Sequence, residues 1–381
     1  MTTIRQPLTS LETPCLLLDR ERLQKNADAM LERSTQLQVK LRPHLKTSKS
    51  EAVARIAKAQ NKSGITVSTL KEAEYFAGLG YRDILLAVGI TPNKFDRVAA
   101  LSKRMGEPLL LVTDDAGIAQ KIADYALFNK VLMSVMIEID CGEHRSGLPS
   151  EDSTIVDIGR ILSECAMTSC AGVMTHAGHS YSTADPAQIA RISRDECSAA
   201  VAAANRLRAA GVSCEIVSVG STPTVVFAEQ YPGVTEVRCG IYLFWDLAQL
   251  SRNICTIDDV ALTVLTSVIG HNKAAGTILL DAGALALSKD TGANNFLPDA
   301  GFGYVCDSQS AKRLGNLSVL GVHQEHGSVP VADETWFQRL PVGSMVRIMP
   351  NHACLTAAPY DSYYVVDGGE IVDRWQRISG W

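Results

Sequence analysis

The stretch Leu41-Arg42-Pro43-His44-Leu45-Lys46-Thr47-Ser48-Lys49 decides how the rest of this sequence is interpreted. Strand alternation puts its apolar side chains on one side and three basic side chains on the other. The basic residues are Arg42, His44 and Lys46. Unpaired cations avoid dry interiors, and a desolvated lysine becomes nucleophilic. The stretch therefore predicts either a cationic pocket wall with a reactive amine at Lys46, or an edge strand whose basic residues meet water.

Composition narrows the class of protein. The chain has 381 residues, of which 46% are hydrophobic and 20% charged, with a net charge of -5. These values are typical of a globular protein of about two domains. No basic tract indicates a nucleic-acid partner. Because no apolar run reaches about 18 residues and no signal peptide is evident, we expect no membrane span. The ten cysteines are scattered and form no C-x-x-C motif, so they predict free thiols in a reduced, cytoplasmic protein.

Strand and helix patterns alternate as far as about residue 245. Strands are predicted at residues 15–19, 40–46 and 236–244, with several between them. Eight or nine such strands favour a closed (β/α)8 barrel, with an open doubly wound sheet as the alternative. Beyond Cys255, β-branched runs separated by turn residues predict a β domain. We expect the barrel at residues 12–250 and the β domain at 251–381, with residues 1–11 available to pair with the latter.

The carboxyl ends of barrel strands are where chemistry is expected. Lys46 ends an early strand, and His176 ends a later one. The loop at residues 218–224 (Ser-Val-Gly-Ser-Thr-Pro-Thr) carries glycine and hydroxyl residues, which suit a phosphate but also an ordinary turn. A phosphate loop combined with an early lysine predicts a Schiff-base lysine and pyridoxal 5'-phosphate, PLP.

The C-terminal half carries a second signal at residues 350–354 (Pro-Asn-His-Ala-Cys). On a strand, His352 and Cys354 would project from one face, within reach of one divalent metal ion such as Zn²⁺. The alternative is a half-buried strand with an incidental histidine. Nearby, Gln324 and His326 are candidate partners of the metal ligands or contacts for a substrate carboxylate. They could equally belong to a solvated turn.

Five motifs occur in a specific order, at residues 42–47, 144–147, 175–178, 219–223 and 350–354. Together they resemble the D-serine dehydratase and D-threonine aldolase family of PLP enzymes, and the resemblance covers residues 13–381. It implies an alanine-racemase-like fold: an N-terminal PLP-binding (β/α)8 barrel, a C-terminal β domain and a homodimer.

The resemblance also implies roles for single residues. Lys46 would form the Schiff base with PLP, and His352 with Cys354 would bind the metal. The remaining cofactor contacts would be Arg145, His176, Tyr181, Gly220, Ser221, Thr222, Gly240 and Tyr242. Beside these, Arg42 and His44 are candidates to tune the pKa of Lys46, to support the cofactor or to contact the substrate, while Gln324 and His326 stay candidate substrate contacts or partners of the metal ligands.

The implied activity is that of a PLP- and divalent-metal-dependent lyase. It would remove water and ammonia from a D-3-hydroxy amino acid, D-threo-3-hydroxyaspartate or D-serine, and yield a 2-oxo acid, with Zn, Mn or Mg as the metal. Ser48 stands where D-serine dehydratases usually carry histidine, which favours hydroxyaspartate. The alternative is an aldolase that gives glycine and an aldehyde, although that branch usually has aspartate at the position of Cys354. A racemase would not need the metal pair, and a non-catalytic PLP carrier would not need the β domain.

Overall fold

The computed structural model describes residues 5–59, 61 and 63–381. The described chain divides into two compact units. The barrel unit comprises Ala29–Lys46, Ala57–Gly240 and Gly380–Trp381. The sheet unit comprises the residues up to Asp28, together with Thr47–Ile56 and Ile241–Ser379.

The barrel unit is built on a parallel sheet, which has eight principal strands among the residues described. Parallel pairing runs around the sheet, and Thr66 joins its two ends by exchanging backbone hydrogen bonds of 2.9 Å with Pro43 and Leu45. The predicted barrel is therefore confirmed. Its strands are Lys40–Leu41, Ile65–Val67, Ile84–Leu86, Leu110–Thr113, Met133–Asp140, Thr168–Thr175, Ile216–Val219 and Glu236–Val237, and the short strand Leu148–Pro149 pairs with the fifth.

Helices connect the barrel strands, as parallel pairing requires. Several begin at a capping side chain: Thr69 accepts from the backbone N–H of Glu72, and Asp115 from that of Ile118. In the part of the chain that the structure describes, no helix is both long and apolar enough to cross a membrane. The helix Arg20–Gln36 precedes the first barrel strand, and the helices that follow are Glu51–Lys58, Leu70–Gly78, Phe95–Met105, Ala116–Asn129, Thr154–Glu164, Pro186–Ala209 and Thr222–Phe227.

The sheet unit contains the predicted β domain. Its longest strand, Leu262–Asn272, pairs with three other strands of the unit. Its short helices are Leu247–Leu250, Ala284–Leu287, Trp336–Arg339 and Ala353–Ala357. Its strands are Gln6–Pro7, Cys15–Asp19, Leu262–Asn272, Thr277–Leu280, Gly303–Asp307, Arg313–Ser318, Gly321–Val322, Gly327–Pro330, Met345–Pro350, Ser362–Asp367 and Glu370–Gln376.

The strand Cys15–Asp19 lies in the sheet unit and not among the barrel strands, where the alternation of strands and helices predicts it. It pairs antiparallel with Leu262–Asn272 and parallel with Ser362–Asp367. The physical reason is that both its faces are apolar and buried, so it suits the middle of a covered sheet. One face packs in a cluster formed by Leu8, Cys15, Leu17, Leu265, Val366 and Ile371.

Candidate active site

The three basic residues of the opening stretch have three different environments. Arg42 is buried, and its guanidinium bonds the carboxylates of Glu236 and Asp83 at 2.8 Å each. Burial disfavours this cation, but the two carboxylates outweigh burial and raise the pKa of Arg42. His44 is half-buried and Lys46 is exposed, beyond the carboxyl end of the first barrel strand. The positive charge of Arg42 is thus neutralised inside the barrel, while the amine of Lys46 is accessible.

Two neutral imidazoles lie at the same end of the barrel. His176 Nδ1 is 3.0 Å from the carbonyl oxygen of Gly220. Burial, together with the positive charges of Lys46 and Arg145, lowers the pKa of His176 to about 3. Burial and the charge of Lys46 also hold the pKa of His44 well below its ordinary value. Both rings are therefore uncharged at neutral pH, and they share this region with the lysine, as the strand-end argument predicts.

The loop after the strand Ile216–Val219 brings two backbone segments close together. Gly220 has a φ of +126°, and a Cβ there would lie 2.8 Å from the backbone nitrogen of Arg238. A Cβ on Gly240 would lie 2.6 Å from the carbonyl oxygen of His44. Only glycine fits at either position. Beside them, the hydroxyls of Ser221 and Ser180 are 2.8 Å apart, and Thr222 is buried at the start of the next helix.

Glu196 organises this region, and sequence reasoning missed it. The residue is fully buried on the helix Pro186–Ala209. Its Oε1 accepts from the backbone N–H groups of Ala177 and Gly220 at 3.0 Å, and its Oε2 from the hydroxyl of Thr224 at 2.8 Å. Burial raises the pKa of this carboxyl above its ordinary value. One side chain thus fixes two strand-end loops. The only sequence signal is an acidic residue on the buried face of an alanine-rich helix.

Arg238 is a second buried charged residue that the sequence did not reveal as part of the site. Its guanidinium donates to the hydroxyl of Ser218 at 2.6 Å and to the carbonyl of Thr175. Burial lowers the pKa of Arg238, although the carboxylates of Glu236 and Glu196 oppose that effect. Alternation could have found it, because residues 236, 238 and 240 share one side of an extended segment.

The three other residues with long side chains that the sequence predicts as cofactor contacts differ in their burial and in the unit to which they belong. Arg145 is exposed and lies 3.4 Å from the carboxylate of Glu143. Tyr181 is half-buried in the 3-10 helix Gly178–Ser182. Tyr242 belongs to the sheet unit, where its side chain is fully buried in another 3-10 helix.

His352 and Cys354 are not on a strand, so that part of the prediction is wrong. The strand Met345–Pro350 ends before them, His352 is the N-cap of the helix Ala353–Ala357, and Cys354 lies in its first turn. The helix begins here because the buried carboxylate of Asp246 accepts from the backbone N–H of Ala353 at 2.9 Å. His352 and Cys354 nevertheless interact, because Cys354 is one of the groups that raise the pKa of His352, so the two candidate ligands are adjacent.

Two further residues contact this pair. The Oδ2 of Asp290 is 2.7 Å from His352 Nδ1, and the hydroxyl of Thr47 is 3.0 Å from the sulfur of Cys354. Burial opposes protonation of His352, but hydrogen bonds with Asp290 and Cys354 raise the pKa of its imidazole to about 11. Among the described residues, no three His, Cys, Asp or Glu side chains form a group that could hold a metal ion. The pair thus offers two donors, one nitrogen and one sulfur.

The segment with Gln324 and His326 lies on the surface of the sheet unit. Both side chains are exposed, and a hydrogen bond of 2.8 Å from the His323 N–H to the His326 carbonyl closes the turn. The amide of Gln324 donates to the carboxylate of Glu325 at 3.3 Å. A role for Gln324 and His326 in substrate binding stays a prediction. Ser48, the residue whose identity favours hydroxyaspartate as the substrate, is buried in the same unit.

Family comparisons agree with this architecture. Residues 18–248 match the family model of the alanine racemase N-terminal domain, and residues 261–366 match that of a putative serine dehydratase domain. The chain therefore belongs to the PLP-dependent enzymes with an alanine-racemase-like fold, in the D-serine dehydratase and D-threonine aldolase family. The resemblance that the five motifs carry is confirmed.

Individual relatives are similar over their whole length. The D-threo-3-hydroxyaspartate dehydratase of Delftia sp. (strain HT23) is 42% identical over 99% of this chain and 100% of its own. The D-serine dehydratase of Dictyostelium discoideum is 30% identical over 98% of each chain. A solved structure of a cysteine-to-alanine variant of D-threo-3-hydroxyaspartate dehydratase in the metal-free form has a TM-score of 0.95 and 41% identity, and covers 99% of this chain and 100% of that chain.

Proposed function

We propose that this protein is a PLP- and divalent-metal-dependent lyase for a D-3-hydroxy amino acid, D-threo-3-hydroxyaspartate or D-serine. It would eliminate water to give an enamine, which takes up water again and releases ammonia. The observation that carries the proposal is the full-length identity of 42% with a D-threo-3-hydroxyaspartate dehydratase. Lys46, His352 and Cys354 supply the amine and the metal donors that such a reaction needs. The product would be a 2-oxo acid.

The residues of the barrel unit fit PLP. Two glycines that tolerate no Cβ, with buried hydroxyls beside them, form a cradle suited to a phosphate group. Lys46 would hold the cofactor covalently, and the neutral ring of His176 can lie beside a pyridine without charge repulsion. When bound, PLP supplies an electron sink for negative charge at the substrate Cα. The other contacts that we propose are Arg145, Tyr181, Gly220, Ser221, Thr222, Gly240 and Tyr242.

The chain's own groups would handle the protons. The Nζ of Lys46 is the base that we propose for the substrate's Cα proton, and it must be unprotonated to act. His44 and His176 are neutral, so neither ring adds a positive charge near that amine. Arg42 is held by Glu236 and Asp83, which leaves it to support the barrel.

The donor set at His352 and Cys354 fits a borderline divalent ion. Imidazole nitrogen and thiolate sulfur are ligands that Zn²⁺ accepts readily, and two protein donors leave positions open for substrate and water. Such an ion supplies a Lewis acid for the substrate β-hydroxyl, which is otherwise a poor leaving group.

A product assay tests the reaction. We expect the PLP-loaded protein, supplied with Zn²⁺ or Mn²⁺, to release ammonia and a 2-oxo acid from D-threo-3-hydroxyaspartate or D-serine. The L-enantiomers are the matched controls and should not react. Glycine and an aldehyde as products would overturn the dehydratase proposal in favour of an aldolase. A racemised substrate, or no turnover of any D-3-hydroxy amino acid, would overturn both.

Metal removal provides a separate test. We expect the His352→Ala variant to keep the visible absorbance of bound PLP and to lose the activity that EDTA removes from the unmodified enzyme. His271→Gln is the control, because that histidine of the same unit bonds the carbonyl of Leu340 and lies outside the pair. Activity that is unchanged and insensitive to EDTA in the His352→Ala variant would contradict the metal assignment.

We further propose that the protein is a homodimer, as the family resemblance implies. Sedimentation velocity of the PLP-loaded protein should give a species of twice the mass of one chain. A single species with the mass of one chain at micromolar concentration would contradict this proposal.

A further inference from the structure

The candidate metal ligand His352 is held by a carboxylate whose two oxygens have separate partners. Asp290 Oδ2 is 2.7 Å from His352 Nδ1, while Asp290 Oδ1 accepts from the backbone N–H of Gly292 at 2.8 Å. The first bond fixes the imidazole, and the second fixes the turn that carries Asp290. Both side chains are only partly exposed, 34% for His352 and 26% for Asp290.

The bond at Nδ1 determines which nitrogen can bind a metal. A carboxylate accepts a hydrogen bond, so Nδ1 keeps its proton, and the proton that a metal ion would displace is the one on Nε2. On metal binding the bond to Asp290 would select the tautomer with Nδ1 protonated, and it already fixes the direction of the ring. The charges also balance, because one thiolate at Cys354 and one carboxylate at Asp290 match the two charges of a divalent ion.

We propose that Asp290 is a positioning residue that sets the affinity of this protein for its metal ion by fixing the tautomer and orientation of His352. This inference rests on the proposed function, since it takes His352 and Cys354 as the ligands. It adds a residue that sequence reasoning did not single out. Carboxylates that bond a metal-binding histidine typically contribute roughly 10- to 100-fold in metal affinity.

The Asp290→Asn variant distinguishes a role of Asp290 in positioning His352 from a role in holding the local turn. In the Asp290→Asn variant, the side-chain oxygen can still accept from Gly292, so the turn is kept. Its amide N–H₂ group would then face Nδ1 and donate to it, which moves the imidazole proton to Nε2 and blocks the metal. Asp290→Ala removes both interactions. A purely structural role therefore predicts that asparagine is mild and alanine severe, whereas the positioning role predicts that asparagine is at least as harmful as alanine.

The experiment measures the Zn²⁺ dissociation constant of the PLP-loaded protein by competition with a chromogenic chelator. We expect it to rise roughly 10- to 100-fold in Asp290→Asn, with unchanged PLP absorbance and melting temperature. The control is Asp299→Asn, which changes a carboxylate of the same unit that bonds Arg313 and Tyr304. Its Zn²⁺ affinity should equal that of the unmodified protein.

Two results would overturn the inference, and they differ in meaning. If Asp290→Asn binds Zn²⁺ within about twofold of the unmodified protein while His352→Ala loses it, the positioning role is wrong and the metal site stands. If His352→Ala binds Zn²⁺ as tightly as the unmodified protein, the metal site itself is wrong, and the role of Asp290 falls with it.

Discussion

Lys46 is the residue on which the proposed chemistry depends. It is exposed at the carboxyl end of a barrel strand, with two neutral histidines in the same region. Replacing Lys46 by alanine should abolish the visible absorbance of covalently bound PLP, because no amine would remain there to bond the aldehyde. Borohydride trapping and peptide mass spectrometry should locate the cofactor on this residue in the unmodified protein.

Lys40 offers a matched control for that experiment. It is an exposed lysine at the opposite end of the same strand. The Lys40→Ala variant should keep the absorbance band. A band that survives in Lys46→Ala, or a label on another lysine, would show that the assignment is wrong.

The environment of Arg42 in the structure differs from the one that the sequence predicts. The pattern of three basic residues suggests that it lines a pocket, yet Arg42 bonds Glu236 in a pair whose side chains are each 4% exposed. The sequence alone could not predict this ion pair, because Glu236 is distant in the chain and contacts Arg42 only when the barrel closes. Lys46 was predictable because accessibility at a strand end follows from the strand itself.

Breaking the Arg42–Glu236 pair should destabilise the protein strongly. In Arg42→Met, a buried carboxylate loses its partner, so we expect the free energy of unfolding to fall by about 3–5 kcal/mol. Urea unfolding measures this. Adding Glu236→Gln should recover part of the loss. Arg97→Met is the control, because its pair with Glu74 is exposed and should contribute at most about 1 kcal/mol.

Among the elements, the helix Pro186–Ala209 has a function beyond packing. Through Glu196 it holds the backbone N–H groups of Ala177 and Gly220. Glu196→Ala should raise the PLP dissociation constant about 10-fold, equivalent to about 1.4 kcal/mol, because both loops lose their anchor. Glu196→Gln can still accept at both N–H groups and should remain close to the unmodified protein.

Spectrophotometric titration of the apoprotein with PLP gives those constants. Asp195→Ala provides a control on the same helix, since Asp195 is exposed. If Glu196→Ala binds PLP as tightly as the unmodified protein, the helix does not organise the cofactor loops.

The alternation of strands and helices predicted most barrel elements, because buried parallel strands and amphipathic helices have clear periodicities. Periodicity does not specify strand partners, so it predicts Cys15–Asp19 among the barrel strands, whereas the strand pairs within the other sheet. It also fails at His352 and Cys354, where helix formation depends on the bond from the Ala353 N–H to Asp246, a residue 107 positions before Ala353 in the chain.

For the molecule as a whole, the two neutral histidines make the free energy of unfolding depend on pH. In the folded apoprotein the pKa of His176 is about 3 and that of His44 is also low, whereas unfolded histidines titrate near 6.5. As the pH falls below about 6.5, the unfolded chain takes up protons that the folded chain does not. The contribution of these two histidines to stability is therefore complete above about pH 7 and declines on acidification.

Urea unfolding of the apoprotein between about pH 8 and pH 4 tests this linkage. The His176→Gln variant should decline less steeply below about pH 6.5, by up to one proton's contribution. An identical pH dependence in the variant would contradict the neutral state of His176. His271→Gln, which removes a histidine from the sheet unit, serves as the control.

The position of the strand Cys15–Asp19 determines how late in synthesis its sheet can be assembled. Near the start of the chain, it lies between Leu262–Asn272 and Ser362–Asp367 in the finished sheet. On the ribosome its second neighbour does not exist until residues 362–367 have been synthesised. A prematurely terminated chain would leave an apolar strand edge uncovered, which is a feature that chaperones and proteases recognise. We therefore expect chains that end before this strand is covered to be removed in the cell.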